Sequence, residues 1–111
     1  MGDRGQVHIK NTGVFLYTHW GATELIQQVH TALSKKWRWD DDEYLTRIIF
    51  DVMIGNEQGS ETGYGIGNEQ HGDVWRLVEI DCSKQTVKII DNDTIILSTS
   101  FEDFITLDIE S

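Results

Sequence analysis

Proline is absent from this chain and cysteine occurs once. No apolar run approaches the roughly 20 residues that a membrane-spanning helix needs. The single Cys82 excludes an internal disulfide and a four-cysteine zinc site. Basic side chains are scarce as well, nine against nineteen acidic ones, for a formal charge of −10. The imbalance is uneven. Residues 1–39 carry five basic and two acidic groups, whereas residues 40–111 carry four basic and seventeen acidic, a local charge of −13. Phosphate recognition needs a basic patch, so direct nucleic-acid binding is disfavoured. The opening segment Met1-Gly2-Asp3-Arg4-Gly5-Gln6 reads neither as an export leader nor as a myristoylation site. The expected address is therefore the cytoplasm, with no membrane association, and the sequon Asn92-Asp93-Thr94 carries no meaning there.

What is present suffices for one folded domain spanning residues 1–111. Hydrophobic residues make up 39% of the chain, including four Trp, four Phe and three Tyr, more than a disordered chain carries. A chain of this length can bury a core without covalent staples.

Gln6–Lys10 and Gly13–Thr18 read as two strands around an Asn11-Thr12-Gly13 turn. Val14-Phe15-Leu16-Tyr17 is apolar on both faces, which places the second strand inside the sheet. Leu25, Ile26, Val29, Ala32 and Leu33 recur at helical spacing and predict a helix over Ala22–Lys35, with Thr23 and Glu24 at its start. Tyr44, Leu45, Ile48, Ile49 and Val52 form the apolar stripe of a second helix over Asp41–Ile54, with Asp40 as N-cap and Glu43 completing a capping box. Residues 55–72 are Gly-rich and polar and read as a loop, with a short strand at Gly63-Tyr64-Gly65-Ile66. Val74–Cys82, Thr86–Ile90 and Thr94–Ser98 follow as hairpin-linked strands, and Ser100 caps a short last helix. The order predicts an α+β fold: a mostly antiparallel sheet of about four to six strands, two main helices on one face and a short C-terminal helix.

Four segments could carry function. At Tyr17-Thr18-His19-Trp20-Gly21 a strand gives way to a helix, so amides, the His19 imidazole and the Trp20 ring could gather around a ligand. The competing reading makes Thr18 a cap, His19 a half-buried polar tip and Trp20 a lid on the core. A Cys82–His19 dyad is conceivable, although no motif links the two. Trp37 and Trp39, two apart, cannot share one side of a helix, so one plugs the core and the other stands exposed beside Arg38 as an interface anchor. Asp40-Asp41-Asp42-Glu43 lacks the ligand alternation of a calcium loop and reads as acidic surface at a helix start. Gly63-Tyr64-Gly65-Ile66-Gly67 lacks the lysine of a phosphate loop and reads as a loop whose Tyr64 meets a partner. The four histidines share no metal-ligand spacing, and neither metal nor cofactor is expected.

Leu16-Tyr17-Thr18-His19-Trp20-Gly21, Arg38-Trp39-Asp40-Asp41, Tyr44-Leu45-Thr46-Arg47-Ile48-Ile49-Phe50 and Gly63-Tyr64-Gly65-Ile66 together resemble a set of small hypothetical proteins of bacterial and phage genomes. The resemblance covers most of the chain and implies a mobile-element accessory role. The primary expectation is a non-enzymatic module that binds a protein, basic in character, through acidic surface and exposed aromatics. An inhibitor or decoy filling a basic nucleic-acid groove is one such role. Its binding should weaken with salt and with Trp39→Ala. The alternative is a small enzyme or ligand-binding domain centred on His19 and roofed by residues 55–72.

Overall fold

A computed structural model describes residues 3–108; Met1 and Gly2 of the opening segment lie outside them. Strands β1 (Gly5–Ile9) and β2 (Val14–Thr18) form the expected hairpin, in a register that sets Val7 opposite Leu16. A 3₁₀ turn (Ala22–Glu24) leads into α1 (Leu25–Ser34), and α2 (Asp42–Ile54) follows. Then come β3 (Tyr64–Gly67), β4 (Arg76–Asp81), β5 (Thr86–Asp91), β6 (Thr94–Ser100) and α3 (Phe101–Phe104). The six strands make one sheet in the order β3-β2-β1-β4-β5-β6. Every pairing is antiparallel except the central β1–β4 pair, which is parallel. The fold is α+β.

One face of the sheet is apolar because alternate residues point to it. Val7 and Ile9 of β1, Leu16 of β2, Val78 and Ile80 of β4, and Val87 and Ile89 of β5 are all buried there. Against them pack Leu25, Val29, Ala32 and Leu33 of α1, Leu45, Ile48, Ile49 and Met53 of α2, and Phe101 and Phe104 of α3. The 3₁₀ turn lies so close to β1 that a Cβ on Gly5 would stand 2.9 Å from the Ala22 Cβ. Only glycine permits that approach.

The connection from β3 at one edge to β4 beyond β1 must cross two strands, and it does so over the face opposite the helices. Gln6 holds it there. Its Nε2 donates to Glu69 O at 3.2 Å, and its Oε1 accepts the His71 N–H at 3.0 Å. The amide is thus satisfied at both ends, as a side chain only 1% exposed must be. His71 stacks on Tyr17 at 4.6 Å, extending the cover over β2.

Several boundaries moved. The second helix begins one residue later than expected, because Asp41 rather than Asp40 accepts the Tyr44 N–H as N-cap. The first helix opens as the 3₁₀ turn, and the Thr23 N–H is capped from afar by Asp3 Oδ2 at 2.8 Å. Tyr44, counted in the buried stripe of α2, is half exposed beneath the Arg38 guanidinium, which lies 4.5 Å from its ring centre.

Candidate functional site

The corner between α1 and α2 is built by two turns of the backbone. Lys36 and Arg38 both adopt left-handed conformations, at φ 58° and 57°, which are uncommon for residues with a Cβ. They send successive tryptophans in opposite directions. Trp39 turns in, donates from Nε1 to Leu33 O at 3.1 Å and meets Phe101 edge to face at 5.4 Å. Trp37 turns out and is 58% exposed. Trp39 is thus the ring packed against the core and Trp37 the projecting one.

Trp37 stands between two cavities. One, of about 290 Å³, lies between it and Lys35, Asp51 and Val52. The other, of about 380 Å³, lies towards Arg38 and Tyr44, and both include Arg47 and Ile48. The Lys35 ammonium is 5.0 Å from the Trp37 ring centre, an arrangement of cation over π-face that holds the indole without covering it. Arg47 is paired with Asp51 one turn on. The corner is thus an apolar floor with two exposed aromatic walls and a cationic rim, on a chain whose total charge is −10. Such a surface can bury an apolar side chain and orient carboxylates at its rim.

The acidic run beside it divides its labour. Asp41 is committed to the helix cap. Glu43 and Asp40 are exposed. Asp40 and Asp42 share a notch of about 170 Å³ with Asn11, Cys82 and Ser83. Burial, with the carboxylates of Asp42, Asp81, Asp41 and Asp40 adding to it, pushes the Cys82 thiol up to about 11. A thiol so protonated is no nucleophile at neutral pH. Cys82 also lies beyond the Ile9–Ile80 end of the β1–β4 ladder, whereas His19 follows Thr18 at the Gly5 end. The Cys82–His19 dyad is excluded by that separation.

At the strand–helix junction Thr18 is buried, and its Oγ1 accepts the Gly21 N–H at 3.0 Å. It closes a turn. Tyr64, paired with Thr18 across β2–β3, is half-buried against the core. His19 is half-buried; its Nδ1 lies 2.9 Å from the Tyr17 hydroxyl and its backbone N–H donates to Gly63 O at 2.8 Å. Trp20 does not close the core: it is 59% exposed and meets His19 edge to face at 5.0 Å. The rings His71, Tyr17, His19 and Trp20 therefore run in a row, and on the same face Phe15 stacks on His8 at 4.0 Å and 4°. Phe15 and Tyr17 of β2 and His19 just after it recur two apart, a pattern visible in the sequence; His8 and His71 join only through the sheet register and the crossing loop.

Chemically this row is a phenol–imidazole pair with an aromatic rim. Burial, with Asp73 assisting, raises the Tyr17 phenol above its usual range. Among the described residues the side chain bonded to His19 is this phenol rather than a carboxylate. The Thr23 amide, which could have held an anion at the helix start, is already taken by Asp3. Among the described residues no group of three or more His, Cys, Asp or Glu could hold a metal ion, and no helix is long and apolar enough to cross a membrane. Comparison with protein-family models, with curated proteins and with solved structures finds no match to this chain.

Proposed function

We propose that this chain is a cytoplasmic protein-binding module, with Trp37 as its anchor and the surrounding charge as its guide. The observation that carries the reading is the exposed Trp37 ring between two cavities, while Trp39, two residues on, is packed inside. Solvent-facing tryptophan beside arginine and tyrosine is the composition of interface hot spots. The excess of carboxylates steers a basic partner from a distance, and Lys35 and Arg38 take up carboxylates of that partner once the indole is seated. The resemblance to small hypothetical proteins of bacterial and phage genomes favours an accessory role, with an inhibitor or decoy as its form.

The test is a pull-down from a host lysate with the wild type and Trp37→Ala as parallel baits, at low and at high salt. A partner held by the wild type at low salt, released at high salt and missed by Trp37→Ala supports the reading. Equal capture by both baits removes Trp37 from the interface and ends it.

The Tyr17–His19 pair with exposed Trp20 at its rim favours a second reading, a small-ligand site on the open face of the sheet. It requires that His19→Ala abolish a function while the melting temperature stays put.

A further inference from the structure

Among the described residues, the outer edge of β6 is the longest unpaired row of backbone in the sheet. β6 stands last in the strand order and pairs only with β5. The opposite edge strand, β3, has four residues, two of them glycine. β6 has seven, Thr-Ile-Ile-Leu-Ser-Thr-Ser, with no charge, no proline and no glycine. Charge and proline are two of the ordinary guards of an exposed edge, and a bulge is a third. A register shift between Ile89 and Ile90 bulges the first half of β6 and leaves Ile95 and Ile96 more than half exposed. The second half is regular. The Phe101 N–H donates to Gln85 O at 2.7 Å, and the alternation of an antiparallel ladder then turns the N–H and C=O of Ser98 and the N–H of Ser100 outward, the Ser100 carbonyl being turned into the first turn of α3.

Charge at the two ends selects the occupant. Asp93 precedes the strand and Glu102 and Asp103 follow it, all exposed. Asp91, by contrast, is neutralised by Arg76. The nearest cations, Lys84 and Lys88, line a pocket with Glu79 and Asp81 on the open face. A second copy added antiparallel would bring Asp93 of each chain towards Glu102 and Asp103 of the other, a repulsion repeated at both ends. An extended segment with basic ends meets carboxylates at both ends instead.

We propose that β6 docks an extended, β-branched segment of a partner protein bearing Lys or Arg at both ends, as a seventh strand of the sheet. The backbone supplies the hydrogen bonds and the flanking charges the selectivity. This surface is separate from Trp37 and does not depend on the reading given to that residue.

The test uses the full chain and a fluorescent synthetic peptide with an alternating Val-Thr core and a pair of lysines at each end. It should bind at low salt, and the same core with glutamates at the ends should bind at least about tenfold more weakly, the effect of a few exposed ion pairs. Ser98→Pro removes an outward N–H and should abolish binding. Should that variant not fold, Ile96→Lys changes a side chain already in solvent and should weaken binding of the lysine-ended peptide by about two- to fivefold. Trp37→Ala should leave it unchanged. Equal affinity for both peptides, or full binding by Ile96→Lys, overturns the proposal. So does a concentration-dependent dimer that excludes the peptide, which would make the occupant a second copy.

Discussion

Arg76 and Asp91 face each other across the first pair of the β4–β5 ladder and are joined by two hydrogen bonds of 2.8 Å, Nε to Oδ1 and Nη2 to Oδ2. The same guanidinium donates from Nη1 to Ala22 O at 3.2 Å and lies 4.5 Å from the centre of the Trp75 ring. One side chain therefore ties the β4–β5 hairpin to the 3₁₀ turn that opens α1. Arg76→Lys keeps the charge but loses the fork. It should lower unfolding stability by about 1–3 kcal/mol, measured by urea denaturation. An unchanged midpoint would show the pair to be ornamental.

The two corner tryptophans should separate cleanly. Trp39→Ala empties a site against Phe101 and removes the Nε1 donor from Leu33 O, which keeps the Lys36 N–H, and should cost about 2–4 kcal/mol. Trp37→Ala removes a ring already in solvent and should stay within about 0.5 kcal/mol of the wild type. Thermal unfolding of both variants beside the wild type decides the matter. A large loss at Trp37 would make it structural and weaken the case for an interface.

Gly63 has φ 103°, and a Cβ there would stand 2.9 Å from Cζ3 of Trp20. Gly63→Ala should therefore destabilise by about 1–3 kcal/mol and displace the indole. A changed tryptophan emission in the folded variant reports the displacement. Wild-type emission with wild-type stability would refute the contact.

Cys82 should make stability fall in alkali. Its folded-state pKa of about 11 lies above the 9.0 of the free thiol, so the unfolded chain loses this proton first. The contribution is complete below pH 9 and is lost as pH rises towards 11, by roughly 2–3 kcal/mol at most. Burial also raises the phenols of Tyr17 and Tyr64, which tilt the curve the same way, so the observable is the difference between wild type and Cys82→Ala. Parallel curves for the two would contradict the assignment. At neutral pH an alkylating reagent should label Cys82 only at the rate at which the chain opens.

His8 tilts the acid side. Burial, with Lys10 assisting against the opposing pull of Glu79, holds the His8 imidazole below its usual value. The unfolded chain then takes up the proton first as pH falls through 6.5, and stability drops. His8→Gln should flatten that part of the profile; an identical acid limb would assign it elsewhere.

Local patterns announced both helices, the hairpins and the α3 cap, because apolar spacing and capping side chains act over a few residues. The parallel β1–β4 pairing depends on residues some seventy positions apart and leaves no local trace. The crossing loop explains a further silence: Gln6 is buried although glutamine in a strand reads as surface. At the corner, the sequence indicates that Trp37 and Trp39 part company. Which one leaves depends on the left-handed backbone at Lys36 and Arg38, conformations that no lysine or arginine advertises. Tyr44 was misread for a related reason, since it sits at the margin of its stripe and a guanidinium from another segment draws it out.

The β4–β5–β6 meander is wired to itself by consecutive antiparallel hairpins, as β1–β2 is, and the strands of the two groups meet at one parallel ladder, Gly5–Ile9 against Arg76–Ile80. The loop pinned on Gln6 tethers one group to the other across that ladder. Were the tether cut, each fragment would keep most of its own strand pairing and could exchange with a fragment from another molecule. The fold thus carries a natural split point, at which complementation of two halves, or swapping between copies, needs the re-closing of five residue pairs and of the core that α1 and α2 share with β4, β5 and α3.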